Sequence, residues 1–404
     1  MKTMEREKVM IKQKIKKKVV KMAKRNIILA RINNYRKINY YSSAIATKDQ
    51  LSEIEQKKIT KEEFVEKCKK SNPRRASYID KVLSIGLSKV SDELINKIST
   101  HDLYIDILFC CFAYGFDPDE YFAYRFVDRN KYDRQLFISE SESKSYVYRM
   151  NDSAAIDIYN DKGQTYEKFH KFYGRKALII DNFRQFDSFI AFISQRRYIV
   201  KKIVTESLGN SIELIDLCQW RNMERELFTY FLKQGKVILE DLVHQSAKMA
   251  TFNNTSVNTI RIITFFTRNG VVAPYCFVKT GRNGSFVDNG GAGGILAGVD
   301  IKNGMINTDG FDETGKNYAV HPDTQTTFKG FEIPDFTKAI ELAKRLSSMT
   351  PKVKYIGWDF AHTDNGWVII EGNGMSQLIG PQTTMQKGIK KDVLEIMSNM
   401  DLIC

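Results

Sequence analysis

The sequence predicts an α+β protein in which a helical N-terminal region leads into a body of mostly antiparallel strands. Three observations predict it. Residues 51–130 are charged and helically periodic, with few strand signals. From about residue 155, short β-rich runs alternate with helical segments. Beyond residue 256 strand-like runs dominate. The chain has 404 residues, of which 43% are hydrophobic, 12% aromatic and 27% charged. That composition supports packed cores and excludes a collagen-like, wholly disordered or disulfide-scaffold chain. The length suggests about two or three domains.

Residues 1–50 carry +12 of the net charge of +14, so the remainder is nearly neutral. A nucleic-acid-binding body would spread basic charge over a folded face, so nucleic acid is the weakest partner. Within this arm Ile11, Ile15, Val19 and Met22 recur at helical spacing among Lys12, Lys14, Lys16, Lys17, Lys18, Lys21 and Lys24. A basic amphipathic helix of this kind, over residues 1–40, suits an anionic membrane surface or packs its stripe on the body. No run approaches 18 apolar residues, and Ile27 to Ala30 is too short for a signal-peptide core. Cys68, Cys110, Cys111, Cys218, Cys276 and Cys404 show neither a CxxC pair nor metal-ligand spacing. The expectation is a cytoplasmic protein with free thiols, peripheral at the inner membrane face if the arm binds lipid.

Along the chain, 61–70 and 91–99 read as helices, and 108–126 as buried helix broken near Gly115 to Pro118. A helix at 183–194 precedes a strand at 198–202, a polar loop at 205–211 and a strand at 212–216. A helix over 219–233 stops at Gly235 and leads to an apolar strand at 237–243. Strands follow at 259–267, 271–279, 294–299, 353–359 and 367–371, interrupted by a helix at 335–347.

The chemistry concentrates in residues 355–373, YIGWDFAHTDNGWVIIEGN, where two strand-like runs flank Asp364-Asn365-Gly366, a hairpin turn. A three-residue loop at 364–366 pairs Thr363 with Trp367 and Asp359 with Glu371. A two-residue loop at Asn365-Gly366 would pair Asp359 with Gly372 and put the acids on opposite faces. With the longer loop, Asp359, Glu371 and Asn373 converge on one face. Opposed carboxylates destabilise a ladder unless a cation stands between them. Carboxylate and amide oxygens without His or Cys suit Mg²⁺, which completes its shell with substrate phosphates. The alternative is a surface hairpin with its acids in solvent.

Lys201 ends the strand eight residues before Gly209-Asn210-Ser211, whose backbone amides could approach phosphates. The Gly290-Gly291-Ala292-Gly293-Gly294 run reads as a cradle or a plain turn, and it lacks the GK[ST] of a Walker loop. His321 reads first as a structural histidine and second as a base or acceptor contact. His362 falls outside the metal set. Trp358 and Trp367 read as packing aromatics.

In this order the lysines, the Ile-Leu-Glu-Asp strand and the Asp…Glu-x-Asn hairpin resemble the ATP-grasp superfamily, and within it the sugar-transfer-associated group. The supporting stretches are SVNTIRIITF (256–265), VDNGGAGGILAGVD (287–300), HPDTQTTFKGFEIP (321–334) and IGWDFAHTDNGWVIIEGN (356–373). The resemblance covers about residues 155–390 and leaves 1–130 outside. It implies an ATP-grasp fold, two α+β lobes sandwiching ATP, with an N-terminal lobe at 151–255 and a C-terminal catalytic lobe at 256–404. The arm at 1–50 and the helical region at 51–150 precede them.

The resemblance also implies ATP and Mg²⁺ as cofactors and assigns roles. Lys162 and Lys201 would reach the nucleotide and its phosphates. Glu240 and Asp241 would open the segment that receives the adenine, with Val243 offering backbone groups. Arg261 would face the reacting phosphate, Lys279 the γ-phosphate, and Asp359, Glu371 and Asn373 the metal. Where many relatives carry a ribose-binding acid, this chain has His244-Gln245-Ser246. The implied activity is carboxylate–amine (or carboxylate–thiol) ligation through an acyl-phosphate, in cell-surface polysaccharide assembly, with small-molecule carboxylate and amine or amino-sugar substrates. Charge stabilisation and positioning carry such a step, so no Ser/His/Asp arrangement is needed. The rival implications are a kinase-like phosphotransferase and a non-catalytic nucleotide-binding scaffold for glycosyltransferases.

Overall fold

The structure, a computed structural model, describes residues 32, 34–39, 46, 48–86, 98–205, 212–288, 290 and 293–403. The basic stripe of the arm, most of the expected 91–99 helix, the Gly209-Asn210-Ser211 loop and Gly291-Ala292 lie outside the described residues.

The helical region contains α1 (Lys48–Glu55), α2 (Lys61–Ser71), α3 (Pro73–Gly86), α4 (Thr100–Ala113), α5 (Pro118–Ala123) and α6 (Glu140–Met150). Local chemistry sets its boundaries. Thr60 and Glu63 form a reciprocal capping box at the start of α2, as Ser139 and Glu142 do at α6. Helix α4 is buried over Ile107 to Ala113, because a helix apolar on every side has no face to offer water. The expected break after it is present: Pro118 sits in the first turn of α5, where its missing N–H costs nothing.

A four-stranded sheet follows, with order β1-β4-β2-β3, from β1 (Ala177–Ile180), β2 (Tyr198–Ile203), β3 (Glu213–Asp216) and β4 (Val237–Glu240). Helices α7 (Lys162–Phe169), α8 (Phe186–Ile193) and α9 (Glu224–Lys233) accompany it. Ile199, Ile215, Leu239, Phe189, Leu227 and Phe231 share one core, which places α8 and α9 on the face of odd-numbered β2 residues.

The seven-stranded sheet has order β11-β10-β5-β6-β7-β8-β9 and only antiparallel ladders. Its strands are β5 (Thr259–Thr267), β6 (Gly270–Thr280), β7 (Ile295–Val299), β8 (Ile306–Phe311), β9 (Asn317–Tyr318), β10 (Tyr355–Thr363) and β11 (Gly366–Asn373). Helix α10 (Phe336–Ser348) buries Ala339, Ala343 and Leu346 in the core beneath it. Two short helices, α11 (Ile379–Met385) and α12 (Lys390–Ser398), end the chain.

Strands β1, β8 and β9 were not expected, being short or polar. Strand β4 ends at Glu240 rather than Val243: the Asp241 N–H donates to the Lys176 carbonyl, and 241–246 then leaves the sheet as irregular chain. The hairpin loop also differs. Thr363 pairs with Gly366 across Asp364-Asn365, with Gly366 at φ +97°, so the loop has two residues and neither expected loop forms. A bulge then inserts one extra residue in β11 between the Phe360–Ile369 and Asp359–Glu371 pairs. Asp359 still lies opposite Glu371, but the bulge, not the loop, sets that register.

Buried amides join the helical region to the large sheet. Asn151 receives the Tyr355 N–H at 2.8 Å and donates to the carbonyls of Tyr355 (2.8 Å) and Gly374 (2.7 Å). Gln382 receives the Ile138 N–H at 2.7 Å and donates to its carbonyl at 3.0 Å and to the Tyr124 hydroxyl at 2.9 Å. Among the described residues, Cys68, Cys110, Cys111, Cys218 and Cys276 are free thiols, and no helix is long and apolar enough to cross a membrane.

Candidate active site

Antiparallel register places Arg261 of β5 beside Asp359 of β10, and Lys279 of β6 beside Thr259 of β5. Alternation puts all four on one face. The Arg261 fork is bidentate on Asp359, with Nε to Oδ1 at 2.6 Å and Nη2 to Oδ2 at 2.5 Å. Lys279 Nζ donates to the same Oδ2 at 2.9 Å. Asp359 is almost wholly buried. Burial alone would raise its pKa, but the Arg261 and Lys279 charges outweigh it and hold the carboxyl at about 2.

Glu371 stands at the open side, its side chain 42% exposed and its Oε1 3.6 Å from Arg261 Nη2. Asn373 Nδ2 donates to that Oε1 at 3.0 Å. Asp288 completes the group, with Oδ1 3.6 Å from Lys279 Nζ and Oδ2 accepting the Thr259 N–H at 3.1 Å. Burial pushes the Asp288 carboxyl up, and Lys279 only partly offsets it. Thus Arg261, Lys279, Asp359, Glu371 and Asn373 come together, joined by Asp288, which is marked in the sequence only by its place before a glycine run.

A second cluster lies on the small sheet. Lys202 Nζ donates to Glu240 Oε2 at 2.9 Å, and Arg175 Nε donates to the same oxygen at 2.9 Å. Burial would raise the Glu240 pKa, but Arg175 and Lys202 outweigh it and hold it at about 2. Lys201 points the other way, into the face covered by helices, where Nζ donates to Glu213 Oε1 (2.7 Å) and Gln234 Oε1 (2.5 Å). Alternation alone only puts Lys201 and Lys202 on opposite faces of β2; the pairing with β4, Lys201 with Leu239 and Val200 with Glu240, puts Lys202 on the Glu240 face. Arg175, after Gly174 in a turn, gave no signal.

The other expected residues are placed as follows. Lys162 opens α7, with Nζ 3.5 Å from the Ile203 carbonyl. Asp241 accepts the Lys176 N–H at 3.0 Å and is ion-paired with Arg196. Val243 is half-buried in the irregular 241–246 connection, which ends where the Ser246 N–H donates to the His362 carbonyl at 2.7 Å. His321 is fully buried; Nε2 contacts the Gly281 carbonyl at 2.9 Å and Nδ1 the Asp323 N–H at 3.3 Å, so both ring nitrogens are engaged in structure.

Among the described residues no three His, Cys, Asp or Glu side chains form a metal cage. Two carboxylates and one amide remain, oxygen donors of the kind that hold Mg²⁺ when substrate phosphates complete its shell, so the donor set fits that ion.

A family profile described as sugar-transfer associated ATP-grasp matches residues 141–398. No curated protein matches the sequence. Among solved structures, the ATP-grasp ligase PsnB complexed with minimal precursor is similar at 10% identity and TM-score 0.38, over 62% of this chain and 64% of that one. D-alanine–D-alanine ligase from Helicobacter pylori is similar at 10% identity and TM-score 0.39, over 66% and 69%. D-alanyl-alanine synthetase A from Vibrio cholerae is similar at 10% identity and TM-score 0.37, over 61% and 66%. The chain thus spans just under two thirds of the first of these structures.

Proposed function

Because the chain belongs to the sugar-transfer associated ATP-grasp family, we propose that it is an ATP-dependent, ADP-forming carboxylate–amine ligase. The observation that carries this reading is the buried Arg261–Asp359–Lys279 group with Glu371 and Asn373 at its open side. A substrate carboxylate attacking the γ-phosphorus is repelled by the triphosphate, so cations must neutralise both partners. Arg261 and Lys279 supply two such cations, preorganised on rigid strands. A triphosphate competes with Asp359 for both, and its arrival frees Asp359 oxygens.

Glu371, Asn373 and the freed Asp359 would then hold Mg²⁺, which when bound supplies charge neutralisation at the phosphates. Lys202 would meet the nucleotide from the small sheet. In the first step the carboxylate oxygen bonds to the γ-phosphorus and ADP leaves. In the second the amine attacks the acyl carbon, phosphate leaves and the amine loses a proton. An acyl-phosphate hydrolyses in water, so the bound substrates must themselves cover the open side at Glu371. The setting we propose is cell-surface sugar-conjugate assembly, with an amino acid or amino sugar as a partner substrate.

The test is incubation with ATP, Mg²⁺ and mixtures of amino acids and amino sugars, followed by mass spectrometry. ADP release with formation of an amide is expected. A stable phosphorylated product without an amide would replace the ligase with a phosphotransferase, and ATP binding without turnover in any mixture would favour a scaffold.

A further inference from the structure

Arg175 belongs to the small sheet's side of the molecule yet reaches the strand that carries Glu371. Its Nη1 donates to the Ile369 carbonyl at 2.6 Å and to the Tyr173 carbonyl at 3.1 Å, while Nε and Nη2 hold Glu240 at 2.9 and 2.8 Å. The side chain is 3% exposed. Ile369 is the last β11 residue before the bulge, and Glu371 is the first paired residue after it. The bulge supplies the register that puts Glu371 opposite Asp359. The only side chain seen to hold a backbone group at the bulge from the small-sheet side, among the described residues, is Arg175. The preceding residue fixes the approach: Gly174 has φ +59°, and a Cβ there would lie 2.3 Å from Val368 Cγ1, so only glycine lets this segment lie against β11.

The other end of the fork shares Glu240 with Lys202. We propose that Arg175 is a positioning residue that pins the β11 bulge from the small sheet and so ties the Lys202–Glu240 pair to the placement of Glu371 for its cation. This rests on the ligase reading for the identity of the cation, but the pinning itself does not. A guanidinium presents separate N–H groups to an acid and a carbonyl at once, here Nε to Glu240 and Nη1 to Ile369, whereas a lysine ammonium at the same place cannot span both. Groups that orient metal ligands from behind commonly change metal affinity by about 10–100-fold when replaced.

The experiment uses the full chain as wild type, Arg175→Lys and Arg175→Met. Amide hydrogen exchange without ligands is read over 368–373 against β5 and β6. ATP binding is measured by calorimetry in EDTA and across a Mg²⁺ titration. In both variants exchange over 369–373 is expected to accelerate while β5 and β6 keep wild-type rates. The Mg²⁺ concentration for half-maximal enhancement is expected to rise about 10-fold or more, with ATP affinity in EDTA little changed in Arg175→Lys. Wild-type exchange over 369–373 in both variants overturns the proposal. So does acceleration spread evenly over the whole chain, which marks general destabilisation. If the wild type shows no Mg²⁺ enhancement, the ligase reading falls while the exchange data still decide the pinning.

Discussion

Asp359→Asn is expected to abolish ADP release and to lower stability by about 3 kcal/mol, the lower part of the range for breaking a buried ion pair. Asparagine conserves shape but removes the charge that two buried cations share. Arg261 would be left with Glu371 at 3.6 Å, and Lys279 with Asp288 at 3.6 Å. These longer contacts explain why the loss stays near the lower bound. Urea midpoints and ADP release check both parts, and an unchanged midpoint would contradict the charge network.

The same carboxyl sets an acid limb. Asp359 and Glu240 are held at about 2 in the folded chain, below their ordinary values of about 3.9 and 4.3. A depressed carboxyl contributes stability that is complete above the unfolded value and is lost as pH falls through the folded one. Stability should therefore fall between about pH 4.5 and 2, and Asp359→Asn should flatten that fall.

The second large effect separates two neighbouring lysines. Lys202→Met is expected to weaken ATP binding by about 10–150-fold, the equivalent of one charged hydrogen bond of about 1.5–3 kcal/mol. Arg175 still covers Glu240, so the fold should persist. Lys201→Met is expected to leave ATP binding close to wild type, because its ammonium lies on the helix-covered face with Glu213 and Gln234. Glu213 is 38% exposed and can rehydrate, so stability should also change little. Calorimetry on both variants decides it; loss of binding in Lys201→Met alone would move the phosphates to the other face.

These lysines also show where sequence reading reached and where it stopped. Segments such as α2, α10, β5 and β6 were legible, because one buried helix face leaves a period and a buried strand leaves a β-branched and aromatic run, whereas α4, apolar on every side, leaves no period and the helix expected at 108–126 overlaps only its end. The β10–β11 hairpin was legible as a pair, yet its loop was misread: a bulge leaves no mark in composition and shifts the register by one residue. Arg261, Lys279, Asp359, Glu371 and Asn373 were found through resemblance and alternation, and they meet in space. Asp288, Arg175 and Lys202 were not found. Asp288 and Arg175 lie outside the strands and contribute through tertiary approach, which local periodicity cannot report. Lys202 differs from Lys201 only in which face of β2 it occupies, and that face is fixed by the pairing with β4.

The most direct test of the nucleotide site is calorimetric titration of ATP with and without Mg²⁺, on the wild type and on a Glu371→Gln, Asn373→Ala double variant. The site as described here requires Mg²⁺-enhanced ATP binding in the wild type. It also requires loss of that enhancement in the double variant, with the residual Mg²⁺-free binding retained through Lys202, Arg261 and Lys279. Equal enhancement in both proteins, or no ATP binding by the wild type, would contradict it.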